Sequence, residues 1–309
     1  MRPGWCSRPP GQNPTILANV WKLAREFVGI GALEREEPDW KFGTKTVIAC
    51  QVSVQILVLL IVSLLSLIFL RRAVPFALKN PCGFPEVRWG WPERIFTSGL
   101  ILFFLAMAFA APNQKSGAID MESLGVSLVL YAALVLLIIG FLVFRNYPVA
   151  KMFGLGVSGW NWRTIVGWLL MCLPLVYLVQ SVSYALCSPD QSPQAIVDFL
   201  LKSNGWQNRA AVFGLAVLAA PVTEELIFRG CLYGILREAL GRRIAILVSA
   251  IIFALIHGHL PSLPGLMVLA AGLALVYERC GSLWAPISMH AAFNALTILT
   301  AIFLPDLSK

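Results

Sequence analysis

Charge is what this chain has least of. Only 13% of its 309 residues are charged, about half of the roughly 25% found in ordinary soluble domains. With 58% hydrophobic residues and a mean hydropathy of +0.76, it reads as a polytopic membrane protein, not a soluble globular enzyme. Its seven cysteines include no CxxC pair, so neither a metal knuckle nor a disulfide frame is indicated, and they read as small core hydrophobes. The alternating pattern of a membrane β-barrel is absent, which leaves helices as the way to satisfy the backbone in lipid. The first apolar segment lacks the pattern of a cleavable signal peptide. No internal repeat or second domain is visible, which argues against a transporter of inverted-repeat design. Histidine is scarce as well: His257, His259 and His290 are the full set.

What the chain does have is long apolar runs. Residues 46–70, 95–112, 123–144 and 164–187 each carry 18 to 25 residues without a charge, enough to cross about 30 Å of hydrocarbon as helix. Further hydrophobic stretches cover 210–236, 244–258, 264–277 and 284–304. The expected fold is therefore all-α, a polytopic membrane protein with about eight transmembrane helices and a distinct bundle in the C-terminal half. Three regions are expected: an N-terminal tail over 1–45, N-terminal spans over 46–204 and a C-terminal core over 205–304. Within the tail, residues 15–33 have the spacing of an amphipathic helix, interfacial or packed over the bundle, and 192–205 fit a short surface helix.

The net charge of +8 does not point to nucleic acid, because the basic residues sort by loop. Twelve Lys/Arg (Arg71, Arg72, Lys79, Arg88, Arg94, Arg145, Lys151, Arg163, Arg237, Arg242, Arg243 and Arg279) fall on one side of the expected topology. The other side holds Lys115, Lys202 and Arg209. This positive-inside bias makes the richer side cytoplasmic, although the N-terminal tail, with seven Lys/Arg, argues the other way. The expectation is a multi-pass plasma (inner) membrane protein whose site opens toward the cytoplasm.

The candidate site is a set of polar residues in the last ninety positions, where lipid tolerates them least. They are Glu224, Glu225 and Arg229 in Glu-Glu-Leu-Ile-Phe-Arg, His257 closing Phe-Ala-Leu-Ile-His, and His290 and Asn294 in His-Ala-Ala-Phe-Asn. An ionisable group at membrane depth costs about 2.5–3.5 kcal/mol on insertion scales, so it is a functional candidate by default. On a helix Glu225 and Arg229 share a face while Glu224 points about 100° away, so Arg229 can neutralise Glu225 and leave Glu224 to face a cavity. His290 and Asn294 share a face by the same spacing. At 1.5 Å per residue the four groups Glu224, His257, His290 and Asn294 lie about 9 to 20 Å below the membrane edge. Kinks near Pro221 and Pro286 can close the spread.

These residue types suit peptide hydrolysis. A carboxylate beside an imidazole can deprotonate and hold a water. A second imidazole and a carboxamide can supply donors to a tetrahedral oxyanion. Direct attack by water needs no cofactor. The rival use of the same atoms is zinc held by Glu224, His257 and His290, although no HExxH spacing preorganises such a set. Structural readings also exist. Glu225 and Arg229 can be a buried ion pair alone, Asn294 an interhelical hydrogen bond, and His259 a loop histidine. Two weaker motifs share one stretch. Gly154-Leu-Gly156-Val-Ser-Gly159 matches GxGxxG without the strand a dinucleotide site needs, and Ser158 sits in what reads as an interfacial loop, the wrong place for a rhomboid-type nucleophile.

The four elements at 224–229, 253–257, 281–287 (Gly-Ser-Leu-Trp-Ala-Pro-Ile) and 290–294 resemble the CPBP family, the CAAX-protease and bacteriocin-processing group of intramembrane proteases. The resemblance covers roughly residues 205–300. It implies a helical membrane endopeptidase acting on a membrane-associated protein or peptide, a class that includes prenylated CAAX-type substrates. Carried over by position, Glu224 would be the general base and His257 its water-holding partner. Glu225 and Arg229 would organise the site, and His290 with Asn294 would bind the oxyanion. Both metal-dependent and metal-independent glutamate mechanisms are argued for the family. The alternative function is a non-catalytic immunity or regulatory protein that binds a peptide or partner in the same cavity, with membrane lipid as the surroundings in either case.

Overall fold

The computed structural model describes residues 57, 60–77, 87–110, 121–156, 160–187 and 205–303. The tail over 1–45, the helix expected over 15–33, Ser158, and all but the last residue of 192–205 lie outside that set. The described residues are helical, with no strand among them. In chain order the helices are α1 (Leu60–Ala77), α2 (Trp91–Ala110), α3 (Met121–Phe144), the single turn α4 (Val149–Met152) and α5 (Trp162–Leu186). There follow α6 (Trp206–Leu240), α7 (Arg242–Leu255), α8 (Leu263–Cys280) and α9 (Trp284–Phe303). Six of them, α1, α2, α3, α5, α6 and α8, are long and apolar enough to cross a membrane. α7 has only 14 residues, too few to cross about 30 Å of hydrocarbon at 1.5 Å per residue. The first helix also differs from expectation at its end, running through Arg71 and Arg72 to Ala77.

The bundle is layered. Within α1, α2 and α3 17% of the spanning residues are buried, against 50% in α6 and 61% in α8, so α8 is the axis around which the others gather. It packs on α5 along one side and on α7 along the other, while α9 packs on α5 and on α6. Close approach to α8 depends on small residues. A Cβ added at Gly272 would lie 2.6 Å from Cys172 Sγ of α5, and one at Gly265 would lie 2.9 Å from Gln180 Oε1.

α6 is not a uniform α-helix. Its segments Gly214–Ala219 and Leu226–Leu232 are π-helical, flanking a short α stretch Ala220–Glu225. Pro221 has no N–H to donate, and the neighbouring Ala220 N–H reaches back five residues to the Leu215 carbonyl. Each π turn shifts the side chains that follow by part of a turn, an arrangement frequent at functional sites. Here it falls on both sides of Glu224 and Glu225.

The helix ends on one side are tied together by ion pairs. Glu278, fully buried near the end of α8, accepts from Tyr233 Oη at 2.8 Å and from Arg237 Nε of α6 at 2.6 Å. Arg94 of α2 bonds Glu238 of α6 at 3.1 Å. Arg145, just beyond α3, donates to Glu93 of α2 at 2.8 Å, and that hydrogen bond and charge raise the guanidinium above its ordinary value.

The GxGxxG stretch has a packing explanation. Gly154 adopts φ +59°, and a Cβ there would fall 1.9 Å from the Gly281 carbonyl oxygen. The turn after α4 therefore presses against the entry to α9, where Leu283 N–H donates to the Phe153 carbonyl at 2.9 Å. Of the cysteines described, Cys172, Cys231 and Cys280 are buried free thiols and Cys187 is partly buried.

Candidate active site

The site forms where α6, α7, α8 and α9 meet. Glu225 is fully buried. Its Oε1 accepts from Arg229 Nη1 at 2.9 Å and from His290 Nδ1 of α9 at 2.9 Å. The second guanidinium nitrogen, Arg229 Nη2, donates to the Ala270 carbonyl of α8 at 2.9 Å. One carboxylate oxygen thus joins α6 to α9, and one guanidinium joins α6 to α8. A carbonyl oxygen has two lone pairs, and this one supplies what a buried cation needs, a partner without hydration.

Glu224 faces elsewhere. Its side chain keeps 17% exposure, and its Oε2 lies 3.9 Å from His290 Nε2. That is beyond hydrogen-bond reach but within the span of one bridging water. The two nitrogens of His290 therefore lie between two carboxylates, one bonded and one not. Glu224 Oε2 and Glu225 Oε2 are both buried without a hydrogen-bond partner. Buried polar atoms are rarely left so, and here the two belong to adjacent residues.

His257 sits just past the end of α7. Its backbone N–H bonds the Ala254 carbonyl three residues back at 3.2 Å. The Phe253 carbonyl is instead met by the His257 ring, with Nδ1 at 2.7 Å. A carbonyl oxygen only accepts, so Nδ1 carries the proton and Nε2 of the neutral ring carries the lone pair. Gly258 follows at φ +62°, where an added Cβ would be 3.1 Å from the Ala108 carbonyl oxygen. That conformation lets the His257 turn pass under the end of α2.

The spacing of the sequence anticipates part of this arrangement. Glu225, Arg229 and His290 are in direct contact, and Glu224 faces His290 across a short gap. Glu224 makes no ion pair with His257, whose Nδ1 is committed to its own helix end. Asn294 Nδ2 donates to the Ala216 carbonyl of the first π segment at 2.8 Å, which leaves one amide N–H and the amide oxygen for other partners. His259 turns away, with Nδ1 2.7 Å from Ser262 Oγ. The Ala270 and Ala216 carbonyls are partners that sequence reading passed over. No pattern of residue types announces which backbone oxygen a distant side chain will reach.

Among the described residues no three His, Cys, Asp or Glu side chains converge as a metal site. Glu224 and His290 approach one another, but the imidazole of His290 is anchored on Glu225 and the neighbouring cation Arg229 is already in place. These residues do not fit a zinc set as they stand.

The fold and the site define a polytopic helical membrane protein with a buried cluster of carboxylate, imidazole and guanidinium groups. Residues 206–296, less than a third of the chain, match the family model of the type II CAAX prenyl endopeptidase Rce1-like proteins. The Bacillus subtilis (strain 168) protein named "Putative membrane peptidase YdiL" is 28% identical over 109 residues, 35% of this chain and 42% of that relative. The match therefore spans less than half of the relative's length. No solved structure matches the chain.

Proposed function

We propose that this protein is an intramembrane endopeptidase that hydrolyses a peptide bond of a membrane-associated protein or peptide, a prenylated CAAX-type substrate included, by direct attack of water. The observation that carries this reading is the unpaired Glu224 carboxylate oxygen, buried 3.9 Å from His290 Nε2 beside the Glu225–Arg229 ion pair. One carboxylate is used up by structure, and the other is left free for chemistry.

In this scheme Glu224 takes a proton from water as the oxygen attacks the scissile carbonyl carbon, with His257 Nε2 accepting a hydrogen bond from the same water. The oxyanion that forms is met by the free amide N–H of Asn294 and, in its imidazolium form, by His290 Nε2–H. Collapse breaks the C–N bond, and the proton held by Glu224 passes to the leaving amine. No step runs through a metal. Activity is expected to survive a strong chelator in protein whose metal content has been measured, and loss restored by zinc would reverse that expectation.

The decisive test is Glu224→Gln in purified protein reconstituted in vesicles. Cleavage of a membrane-anchored reporter is expected to fall at least about a hundredfold, in the range of losing a general base, with thermal unfolding unchanged. Retained cleavage would overturn the scheme. Full cellular complementation by both Glu224→Ala and His257→Ala would favour a binding module over an enzyme. The basic helix ends support a site open to the cytoplasmic leaflet, which would suit a substrate whose lipid or apolar segment enters from that side.

A further inference from the structure

The aromatic ring of Phe253 is surrounded by the ionisable groups of the site. The Arg229 guanidinium lies over its face, 4.6 Å from the centroid. The His257 ring is 4.8 Å away, tilted at 49°, and the His290 ring is 5.8 Å away, edge to face at 68°. The Phe253 carbonyl receives His257 Nδ1 at 2.7 Å. Phe253 itself is fully buried. We infer that Phe253 is the positioning residue of the site, a single ring that sets the orientation of both imidazoles and of the guanidinium that holds Glu225.

The chemistry of the ring is what distinguishes this from ordinary core packing. An aliphatic side chain of similar bulk fills the volume but has no negative face for a cation and no preferred angle for an imidazole edge. His257 sits on an irregular turn after α7, without a helix of its own to hold it. Its side-chain hydrogen bond and its ring contact are both to Phe253. His290 has Glu225 on Nδ1, and the Phe253 contact restrains the one remaining freedom, rotation of the ring about that bond, which aims Nε2. The four-residue spacing of Phe253 and His257 follows directly, since a histidine at that distance can reach back to the carbonyl its helix end leaves open. The neighbouring Phe228 supplies an internal comparison. It is as buried as Phe253 and meets it edge to face at 5.1 Å, but no ring or cation contact joins it to either histidine or to Arg229.

The catalytic half of this inference rests on the proposed peptidase reading, and the histidine half does not. The chain has three histidines, so protein labelled with ¹⁵N-histidine gives three assignable rings, with His259 as internal reference. Phe253→Leu keeps the backbone carbonyl that His257 Nδ1 meets but removes the ring contacts, and is expected to move the ring signals of both His257 and His290, with those of His259 unchanged. Cleavage should lose about tenfold or more in kcat with KM within about twofold, as expected when reacting groups are misaligned without loss of binding. Phe228→Leu should leave the His257 and His290 signals in place and kcat within about twofold of wild type. If Phe253→Leu does not fold, Phe253→Met supplies similar bulk without a ring and should give the same changes. Unchanged histidine signals in the folded Phe253 variant, or equal changes in Phe228→Leu, would overturn the inference. A wild-type protein that cleaves nothing would overturn the peptidase reading while leaving the histidine spectra to decide the role of Phe253.

Discussion

Glu225 Oε1 accepts two hydrogen bonds, from a guanidinium and an imidazole, at a point sealed from solvent. That arrangement makes the pair unequal to its parts. Removing Arg229 strands a buried carboxylate, a loss of about 3–5 kcal/mol, whereas removing both charges together is far milder. Arg229→Met is therefore expected to lower stability by about that amount, and Glu225→Leu with Arg229→Met to recover much of it, measured by thermal unfolding in detergent. Cleavage should be absent from the double variant, because His290 has lost its anchor on Glu225. If the single variant were as stable as wild type, the ion pair would not be holding the site together.

At the scale of elements, α6 departs from α-geometry on both sides of Glu224 and Glu225, and α8 contributes to the site through backbone alone. Both features depend on close contact between helices. The Gly272 position shows how close. An alanine methyl there would meet Cys172 Sγ at 2.6 Å, while Cys172 Cβ stands 3.7 Å away. Gly272→Ala alone is expected to destabilise by about 1–3 kcal/mol through overpacking. In a Cys172→Ala background the sulfur is gone and the methyl is accommodated, so the double variant should be more stable than Gly272→Ala alone. A double-mutant cycle that gave strict additivity would mean that α5 and α8 are not in the tight contact described.

For the whole molecule, the ion pairs Arg94–Glu238 and Arg237–Glu278 bring the start of α2 and the ends of α6 and α8 to one side of the bundle. Trp91 and Trp284 open their helices and are exposed there, and Trp206 opens α6 and is exposed at the far end, as expected of an aromatic belt at each interface. In a background without native cysteines, Arg243→Cys is expected to react with a membrane-impermeant maleimide only from the cytoplasmic side, and Trp206→Cys only from the opposite side. The reverse pattern would turn the molecule over in the membrane.

Low charge, apolar run length and the lack of alternation were enough by themselves to determine an all-helical membrane protein, because lipid leaves the backbone few alternatives. They also singled out the polar residues that a membrane setting makes costly and therefore candidates: Glu224, Glu225, Arg229, His257, His290 and Asn294. Four-residue spacing made the Glu225–Arg229 pair legible, since neighbours on one helix are set by local geometry. The number of crossings was less legible, because short segments such as α7 are buried by their neighbours and need not match the bilayer. Only the tertiary structure decided that His290 bonds Glu225, that Asn294 bonds Ala216, and that Phe253 stands between the histidines. Those contacts join residues far apart in the chain, and their geometry depends on how helices pack and where α6 shifts into π turns, neither of which a local pattern of residue types encodes.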